Sequence, residues 1–318
     1  MARTYLITGG GGNLSRQLAS QLVAEGDQVI LFDVVEQTPD TRIDGCPYVR
    51  GDLREADRVD EVIKNHRPDV LLHMASLLSG KCEQDRTLGW QTNVMGGFNV
   101  FEAALRHQVQ EVFFPSSLAS FGGHLPDPLP EDIPQWPDGL YGVSKVACER
   151  LGNYYHSRHG MDFRGLRLPI VLSRFGPAGA ASSYASRAFV ESVRSGHYSF
   201  KVNPTTAAGT VYVRDALEAI KQLVKAPAGA LKRRVYNIHA IAPTAQQIAD
   251  AIQARLPKVQ ISFDPDPQTA RLIESWPKVI EDGSARRDWQ WSPQFDLDSL
   301  ADDFIQELER ESAGTCGV

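Results

Sequence analysis

The chain has 318 residues, 42% of them hydrophobic, and is long enough to bury a sizeable core in one large domain or two interlocked ones. Its 33 basic and 39 acidic residues give a net charge of -6 and are scattered without long like-charge blocks. That distribution argues against nucleic acid as a partner. The most apolar stretch, residues 70–78, is far shorter than the roughly 20 residues of a membrane span, so no membrane association is expected.

The start of the chain, MARTYLITGG, runs directly into an apolar strand and lacks the parts of a signal peptide. Four cysteines, Cys46, Cys82, Cys148 and Cys316, lie far apart without a CxxC pair. This spacing argues against a disulfide framework and against a zinc site. We therefore expect a soluble, cytoplasmic protein that binds no metal.

Short β-branched runs alternate with helix-period segments through the first half of the chain. Strands are predicted at 4–8, 28–33, 69–74, 111–117 and 161–168, and helices at 13–25, 55–66, 93–108 and 141–160. The alternation is typical of βαβ units and predicts an α/β fold with a doubly wound parallel sheet, the Rossmann arrangement. The proline-rich segment 118–140 is predicted to be an ordered loop over the site.

The regular alternation fades after about residue 170. Helices are predicted there at 183–195, 214–225, 244–256 and 298–310. We expect two interlocked regions, a sheet domain at 1–170 that includes helix 141–160, and a smaller, mostly helical substrate-binding region at 171–318.

A glycine cluster, Gly9 to Gly12, follows the first strand and opens a helix with Asn13 and Leu14. Glycines there permit a tight turn and let backbone N–H groups approach a pyrophosphate at the positive helix N-terminus. Asp33 ends the second strand, where it would bind the adenine ribose hydroxyls and repel a 2′-phosphate. The pattern predicts NAD rather than NADP, bound by domain 1–170. A glycine-rich turn without a ligand is the alternative.

Tyr141 and Lys145 stand one turn apart in YGVSK, so their side chains share one face of the predicted helix. An ammonium beside the phenol, with the nicotinamide charge nearby, should draw the pKa of Tyr141 from about 10 toward neutrality, where it can act as a base. Ser116 and Ser117 follow the fifth strand, at the sheet edge where ligands bind. A turn serine without a chemical role is the alternative for Ser117.

The order TGxxGxxS, acidic residue after the second strand, SSLASFG and YGVSK resembles the extended short-chain dehydrogenase/reductase family, which includes sugar-nucleotide epimerases, over essentially the whole chain. The resemblance implies a catalytic triad of Ser117, Tyr141 and Lys145. Ser15 departs from the family's third glycine. The expected cofactor-binding residues are Gly9, Gly12, Asn13, Leu14, Asp33, Asp52, Leu53, Ala75, Tyr141 and Lys145. For Asp52, a helix cap is an equal alternative.

The C-terminal half resembles the L-threonine 3-dehydrogenases of this family, most specifically in ESWPKVIEDGSARRDWQWSPQFDLD. The resemblance implies NAD-dependent oxidation of L-threonine at C3 to 2-amino-3-ketobutyrate, and a role in threonine catabolism. Ser79 and Trp276 would line the pocket, with a turn serine and a core tryptophan as alternatives. The expected substrate-binding residues are Ser79, Ser116, Ser117, Tyr141, Ser182 and Trp276.

Several segments depart from the threonine dehydrogenases. Ile170 replaces the glycine of their Tyr-Pro-Gly, Ala181 falls in a segment where they have Gly-Thr-Thr-Asp, and Ala207 replaces an arginine. The segments FGGHLPD and AGAASSYAS resemble D-erythronate dehydrogenases instead, so a sugar-acid dehydrogenase is an alternative. A sugar-nucleotide epimerase is another, and so is a cofactor-binding regulator, which the intact Ser117, Tyr141 and Lys145 set opposes.

Two further expectations concern assembly and a histidine. Members of the family usually pair two helices per subunit, here 93–108 and 141–160, in a dimeric four-helix bundle. A homodimer is therefore expected, with a monomer left open. His73, at the end of an apolar strand, is predicted to be a packed, hydrogen-bonded residue rather than a catalyst.

Overall fold

The computed structural model describes residues 2–176 and 180–315, without the side chains of residues 40 and 312–315, and Cys316 lies outside it. The strands are β1 (Thr4–Thr8), β2 (Gln28–Asp33), β3 (Tyr48–Arg50), β4 (Val70–His73), β5 (Glu111–Ser117), β6 (Asp162–Leu168), β7 (Ile170–Leu172), β8 (His197–Phe200), β9 (Thr210–Tyr212), β10 (Val235–Asn237) and β11 (Gln260–Phe263). The helices are α1 (Asn13–Ala24), α2 (Ala56–His66), α3 (Ser79–Gln84), α4 (Arg86–Trp90), α5 (Gly96–Arg106), α6 (Leu140–His159), α7 (Tyr184–Ser195), α8 (Val213–Lys225), α9 (Ala245–Arg255), α10 (Pro267–Glu274), α11 (Gly283–Trp289) and α12 (Leu297–Thr315).

Seven strands form one parallel sheet in the order β10-β6-β5-β4-β1-β2-β3. The central strand β1 pairs in parallel with β2 on one side and β4 on the other, in the registers Thr4↔Gln28 and Tyr5↔Val70. Strands β1, β2 and β4 are almost wholly buried, as expected for a sheet with helices on both faces. The predicted Rossmann fold is confirmed. The strand order reverses between β1 and β4, and ligands bind at such a switch point.

The chain divides into two compact units. The first comprises Met1–Gly122, Pro134–Arg167 and Ala219–Tyr236, and the second comprises Gly123–Ile133, Leu168–Glu218 and Asn237–Val318. The chain thus passes between the units several times, with one boundary after Arg167, near the predicted division at 170. The functional division into an NAD-binding domain at 1–170 and a substrate-binding region at 171–318 stays a prediction.

The core of the first unit contains a cluster of edge-to-face and stacked rings. Phe101 packs edge-on against Phe114, Tyr155 and Phe163, with centroid distances of 6.4, 6.0 and 5.6 Å. This cluster joins α5, α6, β5 and β6, so it fixes helix α6 on the sheet. Such aromatic pairs add to the stabilisation from burial.

The second unit contains two small sheets, β7 with β9 and β8 with β11, packed among helices. Phe304 of α12 contacts Phe189 of α7 and Tyr212 of β9 at centroid distances of 5.3 and 5.9 Å. The predicted helices of this region are present. Its short strands were not predicted, because a run of three or four residues carries too little alternation to be recognised. The helices α10 and α11, of eight and seven residues, were not predicted either.

The predicted helix at 93–108 is wrong at its start. The helical run begins at Ser79, breaks at Asp85, which has extended backbone and caps α4 by accepting from Leu88 N at 2.9 Å, and passes through a π-helical turn, Gln91–Met95. A capping carboxylate interrupts a helix because it replaces a backbone hydrogen bond. Within the described part of the chain, no helix has the length and apolar character needed to cross a membrane.

Candidate active site

The glycine loop after β1 lies tightly against the segment after β4. Gly9 has φ +67°, a conformation that favours glycine, and a Cβ there would lie 2.7 Å from the backbone N and Cα of Ala75. Gly12 donates its N–H to the carbonyl of Gly9 at 2.9 Å and is the N-cap of α1. A glycine N-cap offers no side chain to the first-turn amides of α1. The loop is therefore a cradle that a Cβ would fill, as a pyrophosphate site requires.

Ser15, which departs from the family's third glycine, fits this loop. Its side chain is 2% exposed, and its Oγ would lie 3.6 Å from a Cβ placed on Gly12, an ordinary van der Waals distance. The serine is accommodated inside α1 without closing the cradle. Asn13 and Leu14 form the first turn of α1 beside it, and their cofactor contacts stay a prediction.

Asp33, at the end of β2, is held by two backbone amides. Its Oδ2 accepts from Gly11 N at 2.9 Å and its Oδ1 from Val35 N at 3.0 Å. These bonds orient the carboxylate beside the glycine loop and leave it only partly buried. A carboxylate has about four lone-pair sites, so two acceptor positions remain for ribose hydroxyls. The residues present fit an adenine dinucleotide with a free 2′-hydroxyl.

The other residues predicted to contact the adenine, Asp52 and Leu53, lie between β3 and α2. The Asp52 carboxylate accepts from Arg54 N at 2.9 Å and from Arg54 Nε at 2.9 Å. The same guanidinium lowers the pKa of Asp52. Leu53 is buried and its carbonyl accepts from Asn99 Nδ2 at 2.9 Å. The N-cap of α2 is Glu55, so the alternative of a helix cap at Asp52 is wrong, and its cofactor contact stays a prediction.

Tyr141 and Lys145 lie in the first two turns of α6, beside the end of β5. The Lys145 Nζ donates to the Pro115 carbonyl at 2.8 Å and lies 4.6 Å from the centre of the Phe114 ring and 5.3 Å from that of Tyr141. Lys145 is 4% exposed, and burial lowers its pKa from 10.5 to about 8. The predicted pair is therefore assembled around a lysine whose proton is held only weakly.

In the chain without cofactor, the pKa of Tyr141 lies above its ordinary value, and the predicted shift toward neutrality, which includes the nicotinamide charge, stays a prediction. Burial raises the pKa of Tyr141 to about 12, while a hydrogen bond with Ser117 acts in the opposite direction. The physical reason is that the phenolate would lose its hydration, which outweighs the help of the hydroxyl. The phenol is neutral until another positive charge reaches it.

A glycine sets the distance between Ser117 and the helix that carries Tyr141. Ser117 ends β5, caps a single 3₁₀ turn, Leu118–Ser120, and accepts from Ala119 N at 3.2 Å. A Cβ on Gly142 would lie 2.2 Å from the Ala119 carbonyl oxygen, closer than any real contact. The residue after Tyr141 must therefore lack a side chain for α6 to approach this turn.

The remaining predicted substrate residues are divided between the units. In the first unit, Ser79 is exposed at the start of α3, and Ser116 is 2% exposed with its hydroxyl donating to Glu149. In the second unit, Ser182 is half-buried in a 3₁₀ turn, and Trp276 is half-buried just after α10. The half-buried state of Trp276 disfavours the alternative of a core tryptophan.

The interpretation of His73 as a packed residue is confirmed. Its Nδ1 lies 2.8 Å from Thr8 Oγ1, and its ring stacks on Phe114 at a centroid distance of 5.9 Å. Burial lowers the pKa of His73 to about 3, so the ring stays neutral. A neutral imidazole without solvent access does not exchange protons with a substrate.

Two residues around the site were not singled out from the sequence. Asn93, in the π-helical turn, accepts from Leu77 N at 2.7 Å and donates to the Leu77 carbonyl at 2.9 Å, which fixes the loop after β4. Glu149 is fully buried on α6. A signal for Glu149 was present, since it continues the four-residue spacing of Tyr141 and Lys145 along one helix face.

A switch-point glycine cradle, an acidic residue after β2, and a Tyr-Lys pair beside the end of β5 define a Rossmann-type dehydrogenase. A sequence profile described as the NAD dependent epimerase/dehydratase family matches residues 5–238. The chain belongs to this family, and it is an NAD-dependent dehydrogenase.

Several L-threonine dehydrogenases are similar to this chain over nearly its whole length. The mitochondrial L-threonine 3-dehydrogenase of Bos taurus is 36% identical over 299 residues, which cover 93% of this chain and 80% of the relative. The X-ray structure of L-threonine dehydrogenase from Clostridium difficile has a TM-score of 0.91 at 32% identity and covers 98% of each chain. A monomeric L-threonine 3-dehydrogenase from a metagenome has a TM-score of 0.88 at 29% identity, covering 96% of this chain and 99% of that one.

Proposed function

We propose that this chain oxidises L-threonine at C3 to 2-amino-3-ketobutyrate and transfers the hydride to NAD. The observation that carries the proposal is the end-to-end similarity to L-threonine dehydrogenases, which extends over both units of the chain. The ESWP segment, Glu274 to Pro277, supports it from the sequence. We further propose a place in threonine catabolism and a cytoplasmic location.

In the proposed reaction, bound NAD supplies the hydride acceptor. Tyr141 takes the proton of the C3 hydroxyl, and Ser117 donates a hydrogen bond that orients the same oxygen. Lys145 stabilises the phenolate and binds the nicotinamide ribose. Ser79, Ser182 and Trp276 bind the rest of the substrate.

The raised pKa of Tyr141 sets a condition on this chemistry. A phenol with a pKa of about 12 is only about 10⁻⁴ ionised at pH 8. The base must therefore be activated in the complex, by the Lys145 ammonium and the positive charge of the nicotinamide. Because Tyr141 is activated only in the complex, proton transfer is limited to the time when a hydride acceptor is bound.

The proposal is tested with NADH formation at 340 nm across L-threonine, L-allo-threonine, D-erythronate and UDP-sugars. L-threonine should have the highest kcat/KM. A pocket that pairs a substrate ammonium penalises a hydroxyl at that place, because a buried acceptor then loses its charge-assisted bond. That loss corresponds to about tenfold in specificity or more. Faster oxidation of D-erythronate would move the assignment to the sugar-acid dehydrogenases.

The sugar-acid alternative has its own support in the second unit. Ala181 and Ala207 stand where threonine dehydrogenases have polar side chains, and Ala207 is 4% exposed. The epimerase alternative is separated by cofactor release. A dehydrogenase releases NADH, whereas an epimerase retains its nucleotide and regenerates NAD in each cycle.

The assembly proposed for this chain is a homodimer formed by the helical run 86–106 and by α6. Large apolar side chains are exposed on both, at Trp90, Met95 and Phe98 on the first and at Val143 and Tyr154 on the second. Exposed apolar groups of this kind mark association surfaces. Light scattering should give twice the chain mass of 35.1 kDa. A single species at the chain mass itself would show a monomer, as described for the metagenomic relative.

A further inference from the structure

A fully buried carboxylate lies on the same helix face as the proposed base. Glu149 is 0% exposed and follows Lys145 by four residues, as Lys145 follows Tyr141. Residues four apart lie above one another on a helix, so the three side chains form one row on α6. The chemistry proposed above uses the first two members of this row and leaves the third without a role.

All the acceptor positions of Glu149 are occupied. Its Oε1 accepts from Arg167 Nε at 2.9 Å and from Ser116 Oγ. Its Oε2 accepts from Arg167 Nη2 at 2.7 Å and from Gln135 Nε2 at 2.9 Å. A carboxylate offers about four lone-pair sites, so this one is saturated and aligned with a bidentate arginine.

The partners of Glu149 bracket Ser117 on both sides along the chain. Ser116 precedes it and is bound directly to the carboxylate. Ser120, three residues after it, is fully buried, and its Oγ accepts from the same Gln135 Nε2 at 2.9 Å. The peptide that carries Ser117 is thus tied at both ends to one side chain of the helix that carries Tyr141.

The buried ion pair of Glu149 and Arg167 is poorly explained by a contribution to the stability of the fold alone. Burying an ion pair costs desolvation that its mutual attraction often does not recover, and a well-packed apolar pair in its place is frequently as stable or more so. The bonds of Glu149 do, however, determine a distance, because each has a narrow geometric optimum. The Arg167 guanidinium is itself fixed over the Phe121 ring, 4.7 Å from its centre, so the carboxylate has a rigid support.

We propose that Glu149 is a positioning residue, which through Ser116 and Gln135 holds the Ser117 hydroxyl at the reacting distance from Tyr141. It touches neither substrate nor cofactor in this role. The proposal rests on the roles proposed for Ser117 and Tyr141. Its consequence is that loss of the network lowers kcat while the glycine cradle, which it does not contact, keeps its affinity for NAD.

The primary test is Glu149→Gln, which keeps the shape of the side chain but loses its charge and half of its acceptor capacity. A misplacement of catalytic groups by about 1 Å costs up to 10²-fold in rate, so we expect kcat with L-threonine to fall about 10- to 100-fold. The dissociation constant of NAD, measured by protein fluorescence, should change less than about twofold, since the bonds lost lie outside the cradle.

Asp215→Asn is the matched control for removing a buried carboxylate. Asp215 is 2% exposed and accepts from the backbone N of Gln294 and of Phe295 at 2.9 and 3.2 Å. We expect this variant to lose thermal stability and keep its kcat. If Glu149→Gln behaves in the same way, the carboxylate has only a structural role and the proposal fails.

Ser116→Ala keeps the proposal testable if Glu149→Gln does not fold, because it leaves the pair of Glu149 and Arg167 intact. Its kcat should fall several-fold with an unchanged KM for L-threonine, whereas a direct contact of Ser116 with substrate would raise KM. In the double variant with Glu149→Gln, the two losses should not add, since both remove one connection. Additive losses, or a kcat within twofold of wild type for Ser116→Ala, would overturn the proposal.

Two readouts separate positioning from a general loss of structure. Amides of residues 117–121 should exchange hydrogen faster in Glu149→Gln and not in Asp215→Asn. The alkaline limb of the kcat profile should also move to lower pH, because Glu149 favours the charged form of Lys145. The other groups that face this ammonium are Tyr141, Cys148, Cys82 and His73.

Failure of this proposal is distinguishable from failure of the proposed function. Ser117→Ala and Tyr141→Phe are measured first, with L-threonine and NAD. If neither lowers kcat, the proposed chemistry itself is wrong. If both do, and Glu149→Gln then matches Asp215→Asn in every readout, only the positioning role is wrong.

Discussion

The two units of this chain differ in their secondary structure and in how their side chains are held. The first unit holds the parallel sheet, the glycine cradle, Asp33 and the row of Tyr141, Lys145 and Glu149, and its side chains are fixed by buried hydrogen bonds. The second holds short two-stranded sheets and several helices, with Ala181 and Ala207 among its side chains. We propose that the reaction chemistry belongs to the first unit and that single side chains of the second unit select the substrate.

This difference indicates which functional assignments can be transferred from a similar protein to this chain. A hydride transfer needs the same few groups at the same distances for any secondary alcohol, so the first unit tolerates little change. Selection among small hydroxy acids depends on a few hydrogen bonds, each changing specificity by about tenfold. If the second unit selects the substrate as proposed, one or two substitutions there should alter the substrate without altering the reaction.

The largest effect is expected from Tyr141→Phe, which tests the chemistry assigned to the first unit. Loss of the base should lower kcat by roughly 10²–10⁴-fold with little change in NAD affinity. NADH formation at 340 nm and a fluorescence titration with NAD measure the two quantities. Tyr155→Phe, on the same helix, removes a phenol hydroxyl bonded to Glu102 and is the matched control. Retention of most activity in Tyr141→Phe would exclude this phenol as the base.

Gly142→Ala tests whether close packing, rather than residue identity alone, maintains the first site. The new Cβ would lie 2.2 Å from the Ala119 carbonyl oxygen, so α6 and the turn after Ser117 must separate. A shift on the order of 1 Å lowers kcat by about 10²-fold. Gly229→Ala, where no heavy atom lies within 4 Å of the added carbon, is the control and should be fully active. Normal turnover of Gly142→Ala would show that this distance is not critical.

Asp33→Ala tests the cofactor half of the first unit. It removes the acceptor held by Gly11 and Val35, and each hydrogen bond to a charged group contributes about 1.5–3 kcal/mol. The ratio of kcat/KM for NAD over NADP should therefore fall by roughly 10- to 100-fold. Steady-state kinetics with both nucleotides measure this ratio, and Asp44→Ala, an exposed position, should leave it unchanged. A preference of the wild type for NADP would contradict the prediction.

Trp276→Ala tests whether the second unit affects substrate binding rather than the chemical step. If this half-buried ring contacts substrate, its loss should raise KM for L-threonine about tenfold and change kcat much less, since a lost apolar contact weakens ground and transition states alike. Leu272→Ala, an exposed position on α10, is the control. An unchanged KM for Trp276→Ala would remove this residue from the pocket.

The smallest effect is a pH dependence of stability that originates in the first unit. The folded pKa of Lys145, about 8, lies below its ordinary value of 10.5, so between these values the unfolded chain binds the proton more tightly. The cost of burying the charged ammonium of Lys145 is therefore complete below about pH 8, declines as pH rises, and is absent above about pH 10.5. Chemical denaturation should show the free energy of unfolding of wild type relative to Lys145→Met rising by roughly 1–2 kcal/mol from pH 7.5 to 9.5. A constant difference would mean that Lys145 titrates normally.

The sequence by itself determined the Rossmann sheet, the glycine cradle and the pairing of Tyr141 with Lys145. These features are local or strongly periodic, since buried parallel strands read as apolar runs and a four-residue spacing defines a helix face. The tertiary structure alone decided the raised pKa of Tyr141, the closeness imposed by Gly142, and the saturation of Glu149 by Ser116, Gln135 and Arg167. Desolvation and hydrogen-bond geometry depend on atoms that are distant in the chain and meet only in the folded state, so no spacing along the sequence encodes them.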